Sequence, residues 1–301
     1  MRTEELPITE DFAGHVRLHA RTPICGAYSI EMGALDWSWE YLSSIVGDKV
    51  VRPMVNMPRS GKFPGSYRNH ETSLTFGDFV DLSRSNPSTP CYLAYLRPKE
   101  LHAELGEDVD FSAISGADDH TDTRVWLGSQ GTNSGLHSDL KDNVFVQIHG
   151  KKHLWLINPN QTRNVYPEDD NIVNSAIDFP NPDLSTYKKL RSVTVLSRVL
   201  VPGDFVYIPK GWWHCLVSLE DSISLNHWYG SPVADEEYIR LIWKQGLGYA
   251  SRTFLDLLRY GFFRQTQKNN FFFTPPPNGL RLYNYLFRGG FSLANDPVRE
   301  Q

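Results

Sequence analysis

The amino-acid sequence predicts a mainly β fold, a double-sheet jelly roll or barrel, set between a mixed α/β shell and a helical extension. Two observations carry that prediction. Over residues 124–229 the apolar letters fall in short runs, VWLG, NVFVQIHG, HLWLINP, SVTVLSRVL, DFVYIP and SISLNHWYG, separated by Gly, Pro and Asn/Asp turns. Successive side chains of a strand point to opposite faces, so runs of this kind are strands, and many of them in succession pack as two sheets. Before and after this block the apolar spacing becomes helical.

Taken in order, WSWEYLSSIVGD reads as a helix and VVRPMVNMP as a strand. SLTFGDFVDLSRS reads as a helix opened by a Ser/Thr cap. Residues 118–123 are a polar loop, after which the strands begin. They are interrupted by PEDDNIVNSAIDFPNPDLSTYKK, a polar insertion over residues 167–189 with few large apolar groups. Asp169, Asp170, Asp178 and Asp183 in it are expected to form an open, polar rim that attracts cationic substrates. After Ser231 helices return, with Tyr238, Leu241 and Ile242 on one face. The pattern breaks near Gly246 and Gly248 and resumes through Phe254, Leu257 and Leu258. NNFFFTPPPNG is an aromatic-proline loop. The organisation expected is an N-terminal arm over 1–20, a domain over 21–231 with its β core at about 124–229, and a C-terminal helical extension over 232–301.

Composition narrows the function. The 301 residues suffice for one large domain or two small ones, and 40% apolar with 13% aromatic residues can fill a core. A formal net charge of -5 argues against a nucleic-acid backbone binder, whose affinity comes from many Lys and Arg contacts. Cys25, Cys91 and Cys215 are scattered and odd in number, in no CxxC spacing, so neither disulfides nor a thiolate zinc site is expected. A reducing cytoplasm fits best. The acidic MRTEELPITEDF has no apolar leader core, and no run approaches the roughly 20 apolar residues of a spanning helix, so no membrane partner is expected.

The stretch GLHSDLKDNVFVQIHGKK, residues 135–152, places charge in a segment that otherwise reads as a buried strand. His137 and Asp139 lie two apart and so share a strand face. In VPGDFVYIPKGWWHCLVSLE, His214 follows a tight turn and supplies a third group. Two imidazoles and one carboxylate make a facial triad, whose open positions suit Fe(II) holding a bidentate co-substrate and O2. The same residues also read as a hydrogen-bonded His–Asp pair in a loop and a half-buried core histidine.

Further motifs bear on that choice. After His137 and Asp139 come Asn143, Phe145, Gln147, Ile148, Gly150 and Lys152; then Pro202, Gly203, Asp204, Ile208, Pro209, Trp212, Trp213 and His214; then Asn226, Trp228 and Tyr229. This set resembles the JmjC/cupin-like Fe(II)- and 2-oxoglutarate-dependent dioxygenases, and within them the asparaginyl hydroxylase of hypoxia-inducible factor and its bacterial relatives. The likeness runs from about Arg21 to about Pro232, with WSWEYLSSIVGD and CYLAYL fitting the family's leading helix and the strand before its core. It implies a double-stranded β-helix in which His137, Asp139 and His214 bind the metal and carry catalysis. It also implies that Lys152 pairs with the distal carboxylate of 2-oxoglutarate and that Tyr92 hydrogen-bonds the same group. Ser134 stands where the family often has threonine, with Thr132 as a substitute, and Asn143 and Asn226 match polar positions of the co-substrate pocket. A buried lysine is costly without an anion, and a dicarboxylate is one; a solvated hairpin tip is the alternative for Lys152.

Other candidates carry less. His120 and Asp122 form a second HxD without the following lysine strand, and His227 has the opposite parity to Asn226. His149 and His153 read as structural or surface residues, RSGK at 59–62 as an ordinary loop, and Cys215 as a small core residue. The function expected is hydroxylation of a C–H bond in a peptide or protein side chain, with Fe(II), 2-oxoglutarate and O2. The alternatives are a hydroxylase of a small polar molecule or carrier-bound amino acid, and a cupin that binds metal or ligand without turnover. Histone demethylation ranks last, because the chain shows no chromatin-reader segment. A homodimer through the C-terminal helices is the expected assembly.

Overall fold

The computed structural model describes residues 1–18, 21–85, 89–116, 121–267, 271 and 275–291. In chain order the strands are β1 (Arg2–Glu5), β2 (Ile24–Ala27), β3 (Val50–Val51), β4 (Leu74–Thr75), β5 (Tyr92–Leu96) and β6 (Asp122–Gly128). They continue with β7 (His137–Ser138), β8 (Asp142–His149), β9 (Lys152–Ile157) and β10 (Thr194–Leu200). The last three are β11 (Asp204–Ile208), β12 (Trp213–Ser218) and β13 (Ser222–Tyr229). Among the described residues one sheet runs β1-β10-β9-β12-β7 and its partner β2-β11-β8-β13-β6-β5, so the jelly roll expected from the turn spacing is the observed fold.

The alternation along each strand sorts side chains between the inside of the jelly roll and its outside. In β8, Val144, Val146 and Ile148 join a core under the N-terminal helices, while Phe145 joins the core between the sheets. In β9, Leu154 and Leu156 point inward and Ile157 joins a second outer core. Burying one such side chain is worth about 1.5–3 kcal/mol, and a slip of one residue in β9 would exchange the inward Leu154 and Leu156 for His153 and Trp155. The register is therefore fixed by the pattern that predicted it. At the β8–β9 hairpin Gly150 has φ +67° and a Cβ there would lie 2.1 Å from the Asp221 carbonyl oxygen, so glycine is required.

The shell helix at Trp39–Val46 is capped by Ser38, whose hydroxyl accepts from the Tyr41 amide, and the helix at Phe76–Ser85 by Thr75, which accepts from Asp78. Both bury their apolar stripe against the six-stranded sheet. Asp122 and Thr123 belong to β6 rather than to a loop, since Asn226, His227 and Trp228 pair with Arg124, Thr123 and Asp122. Residues 118–120 of that loop lie outside the described residues, as do 268–270 and 272–274 of the aromatic-proline loop.

The insertion departs from the open polar rim expected of it. Ile172, Val173, Ile177 and Phe179 are buried, the last two in the outer core of the five-stranded sheet. These apolar residues are spaced irregularly, so no strand or helix period announces them. The C-terminal helices Asp235–Lys244 and Leu247–Asp256 pack on it through Tyr238, Ile242 and Tyr249, and the helix Asn278–Arg288 through Asn278, whose Oδ1 accepts from Ile172 N at 3.1 Å. Among the described residues no helix is long and apolar enough to cross a membrane.

Candidate active site

The strand register brings the three expected ligands together. His137 on β7 lies opposite His214 on β12, with ring centroids 4.2 Å apart, and Asp139 leaves β7 two residues later on the same face. Their ligand atoms all lie within 4.8 Å of one another, with His214 Nε2 3.6 Å from Asp139 Oδ2. Among the described residues this is the cluster of His, Cys, Asp or Glu that could hold a metal ion. His120, of the second HxD, lies outside the described residues. Asp122 is paired with Arg124 at 2.9 Å.

What surrounds the cluster fits a cation. His137 Nδ1 lies 3.0 Å from the Gly135 carbonyl oxygen and His214 Nδ1 3.0 Å from that of Trp212, so each ring can donate there and leave Nε2 with a free lone pair. Burial, with the neighbouring His214 adding to it, holds His137 well below its ordinary protonation range and keeps it a neutral ligand. Asp139 Oδ2 accepts from Asn143 Nδ2 at 2.9 Å and from Trp228 Nε1 at 2.7 Å, which fixes the carboxylate plane. The tight turn before His214 is tied down by Gly211 N donating to the Asp139 carbonyl oxygen at 2.8 Å.

These residues open on a cavity of about 320 Å³ between the sheets. Lys152, 3% exposed, reaches into it from the start of β9, donating to Ser224 Oγ at 2.8 Å. No carboxylate among the described residues pairs with it. Burial pushes its pKa from 10.5 down to about 7. The hairpin-tip alternative is thereby excluded for Lys152 and describes Lys151, whose ammonium pairs with Glu220 at 2.8 Å. Tyr92 lines the cavity beside Lys152 and stacks on Trp126, and burial raises its phenol pKa.

The remaining expected co-substrate contacts divide. Asn226 and Ser134 line the cavity, but Ser134 Oγ is already engaged, donating to the Gly135 carbonyl and accepting from Leu216 N. Thr132 donates to Ser218 Oγ instead. Asn143 is fully buried, accepts from Asn226 Nδ2 at 2.9 Å and donates to Asp139, so it stands behind the His137–Asp139–His214 cluster rather than on the cavity wall. Replacing Asn143 with alanine is expected to weaken Mn(II) or Fe(II) affinity about 10–100-fold, the usual cost of losing an outer-shell partner, with the fold retained; titration calorimetry reads this directly.

Sequence reasoning missed the walls. Ser224 shares strand parity with Asn226 and Trp228, which is a signal that could have found it. Tyr95, Trp126, Leu140, Val173, Asp235 and Arg281 also line the cavity from separate segments, and no spacing connects them. His227 points away and stacks on Phe111 at 4.3 Å, as its parity requires. His153 stacks on Trp155 outside the jelly roll, Lys62 of the RSGK loop pairs with Glu168, and Cys215 is a core residue. The insertion aspartates line no part of the cavity: Asp169 pairs with Arg252, Asp170 accepts from Tyr260, and Asp183 caps Ser185 and Thr186.

The model of the cupin-like domain family matches residues 28–235. Among curated proteins the chain is 29% identical over 204 residues to lysine-specific demethylase 8 of Danio rerio, covering 64% of this chain and 48% of that protein. It is 37% identical over 147 residues to Jumonji C domain-containing protein 5 of Drosophila melanogaster, covering 46% and 37%. With HSPB1-associated protein 1 of Homo sapiens it shares 26% over 219 residues, covering 65% and 45%. The chain thus spans about half the length, or less, of these relatives.

Proposed function

Because the chain belongs to the cupin-like domain family, among the JmjC-type oxygenases that use Fe(II), 2-oxoglutarate and O2, we propose that it hydroxylates a C–H bond of a peptide or protein side chain. The observation that carries this reading is the His137–Asp139–His214 cluster sharing one cavity with a buried, carboxylate-free Lys152. In this proposal His137, Asp139 and His214 hold the iron. Lys152 pairs with the distal carboxylate of 2-oxoglutarate, helped by Tyr92, with Ser134 and Asn226 on the same wall.

Bound iron supplies the O2 chemistry by which 2-oxoglutarate goes to succinate and CO2, one oxygen atom entering succinate and the other the substrate C–H bond. The chain's own part is to exclude water and hold the target. Tyr95, Trp126 and Trp228 form an aromatic wall beside the cluster, with centroid separations of 5.8–6.2 Å among them. Asn143 and Trp228 keep Asp139 in the plane that faces His214.

The relatives named for lysine demethylation favour a second reading in which the hydroxylated carbon is an N-methyl group, lost afterwards as formaldehyde. Mass spectrometry of peptides incubated with the protein, Fe(II) and 2-oxoglutarate separates the two. A gain of one oxygen supports hydroxylation; loss of a methyl group with release of formaldehyde supports demethylation. Neither product from any peptide, with an oxidised small amino-acid-like molecule instead, would refute both. The cytoplasmic location proposed for the protein is supported by its three free, buried cysteines.

Self-association through the C-terminal helices is the assembly we propose. Tyr238, Ile242 and Leu257 are spent inside the chain, but Trp243, Phe254, Leu255, Phe262 and Phe287 are each more than half exposed. Phe262 and Phe287 pack on each other with centroids 5.5 Å apart, forming a contiguous apolar surface of the kind that marks an interface. Light scattering is expected to find a dimer at micromolar concentration, and Phe262→Asp with Phe287→Asp a monomer; a monomeric wild-type chain would contradict it.

A further inference from the structure

Arg281 stands in the wall of the cavity opposite to what its surroundings favour. It is 9% exposed, and it springs from the first turn of the helix Asn278–Arg288, where the helix dipole opposes a positive charge. Its Nε donates to the Pro276 carbonyl oxygen at 3.3 Å, and among the described residues its terminal nitrogens have no hydrogen-bond acceptor and no carboxylate within ion-pair reach. Asp235, which lines the same cavity, is engaged elsewhere, Oδ2 accepting from Phe291 N at 2.9 Å.

The position is nonetheless held firmly. The guanidinium lies over the Tyr238 ring at 5.2 Å and the Phe291 ring at 5.7 Å. Its helix is pinned by buried Asn278, whose Oδ1 accepts from Tyr238 Oη at 2.7 Å and from Ile172 N at 3.1 Å. A nearly buried charge that is rigidly placed in the wall of a substrate cavity, with no carboxylate partner among the described residues and only two rings beside it, is further stabilised when an anion arrives. With Nε spent, the terminal N–H groups remain as a planar fork that matches a carboxylate.

We propose that Arg281 is a specificity-determining residue that docks a carboxylate of the peptide substrate, on the wall built by the C-terminal extension and outside the 28–235 family match. The carboxylate belongs either to an acidic side chain flanking the modified residue or to a chain terminus. This rests on the peptide-oxygenase reading above, and it makes the extension part of the active site rather than only its cover.

The test uses the full chain loaded with Mn(II) and an unreactive 2-oxoglutarate analogue. Fluorescent peptides are titrated in pairs that differ only in Glu for Gln at one flanking position, or in a free carboxylate for a carboxamide at the C-terminus. Wild-type protein should capture the acidic member of one pair type about tenfold or more tightly, as a charge-assisted bidentate contact implies, and the pair type that responds identifies the source. Arg281→Met, which keeps the stem packed on both rings, should lose the preference, and Arg281→Lys should keep only part of it. The proposal is overturned if no wild-type preference exists, capture of no peptide included, or if the preference survives in both variants. Should Arg281→Met fail to fold by circular dichroism, Arg281→Lys decides alone by whether the preference falls. Peptide-independent 2-oxoglutarate consumption is measured in parallel: its absence from wild type counts against the oxygenase reading and leaves the Arg281 result standing.

Discussion

His214→Ala is expected to abolish metal binding and all 2-oxoglutarate consumption while leaving the chain folded. The side chain is 2% exposed, but it faces the cavity, where its truncation leaves room for water and exposes no apolar core. Removing it takes one of the three proposed ligands, and a facial site with two loses both affinity and geometry. His137→Ala and Asp139→Ala should behave alike, and Asp139→Ala should in addition leave Asn143 Nδ2 and Trp228 Nε1 without their acceptor. Calorimetric titration with Mn(II) checks all three, with His153→Ala as the control, since that ring lies outside the jelly roll on Trp155. Undiminished binding in any of the three would remove that residue from the site.

Lys152→Ala is expected to leave metal affinity near wild type and weaken 2-oxoglutarate by about two to four orders of magnitude, because removing one partner of a buried ion pair costs about 3–5 kcal/mol. The pH dependence has a definite sign. Burial lowers the Lys152 pKa from 10.5 to about 7 in the free protein, so above that pH the amine is increasingly neutral. A dicarboxylate binds the charged form, so above that pH its binding draws a proton from solvent onto the amine, while its own carboxylates stay ionised throughout. Co-substrate affinity should therefore be constant below pH about 7 and fall by about tenfold per pH unit above it, and Lys152→Ala should flatten that profile. A wild-type affinity that does not change between pH about 6 and 9 would mean that the lysine is not the anchor.

How much of this was legible in the sequence follows from how local each feature is. His137 and Asp139 share a face because of strand parity, so that pair was readable from a few consecutive letters, whereas Lys152 needed the family resemblance, since its place beside a glycine hairpin also allowed a solvated tip. His214 needed the second motif, because its pairing opposite His137 joins segments far apart in the chain. Asn143 and Asn226 were legible as inward-facing, yet whether an inward amide meets a co-substrate or braces Asp139 depends on the neighbouring strands. The insertion misled because Ile172, Val173, Ile177 and Phe179 are scattered among polar letters and are buried by a surface the sheet provides. Arg281 was invisible, since nothing in GLRLYNYLFR says that its first turn faces a cavity built by other segments.

Conversion of 2-oxoglutarate to succinate, followed by NMR with purified protein, Fe(II) and air-saturated buffer, tests the central claim most directly. Wild-type protein should form succinate in a reaction that stops when Fe(II) is chelated or O2 is removed, and His214→Ala should form none. Succinate production that His214→Ala retains, or a wild-type chain that binds Fe(II) and 2-oxoglutarate at this cluster yet never consumes the co-substrate with any peptide, would contradict the account.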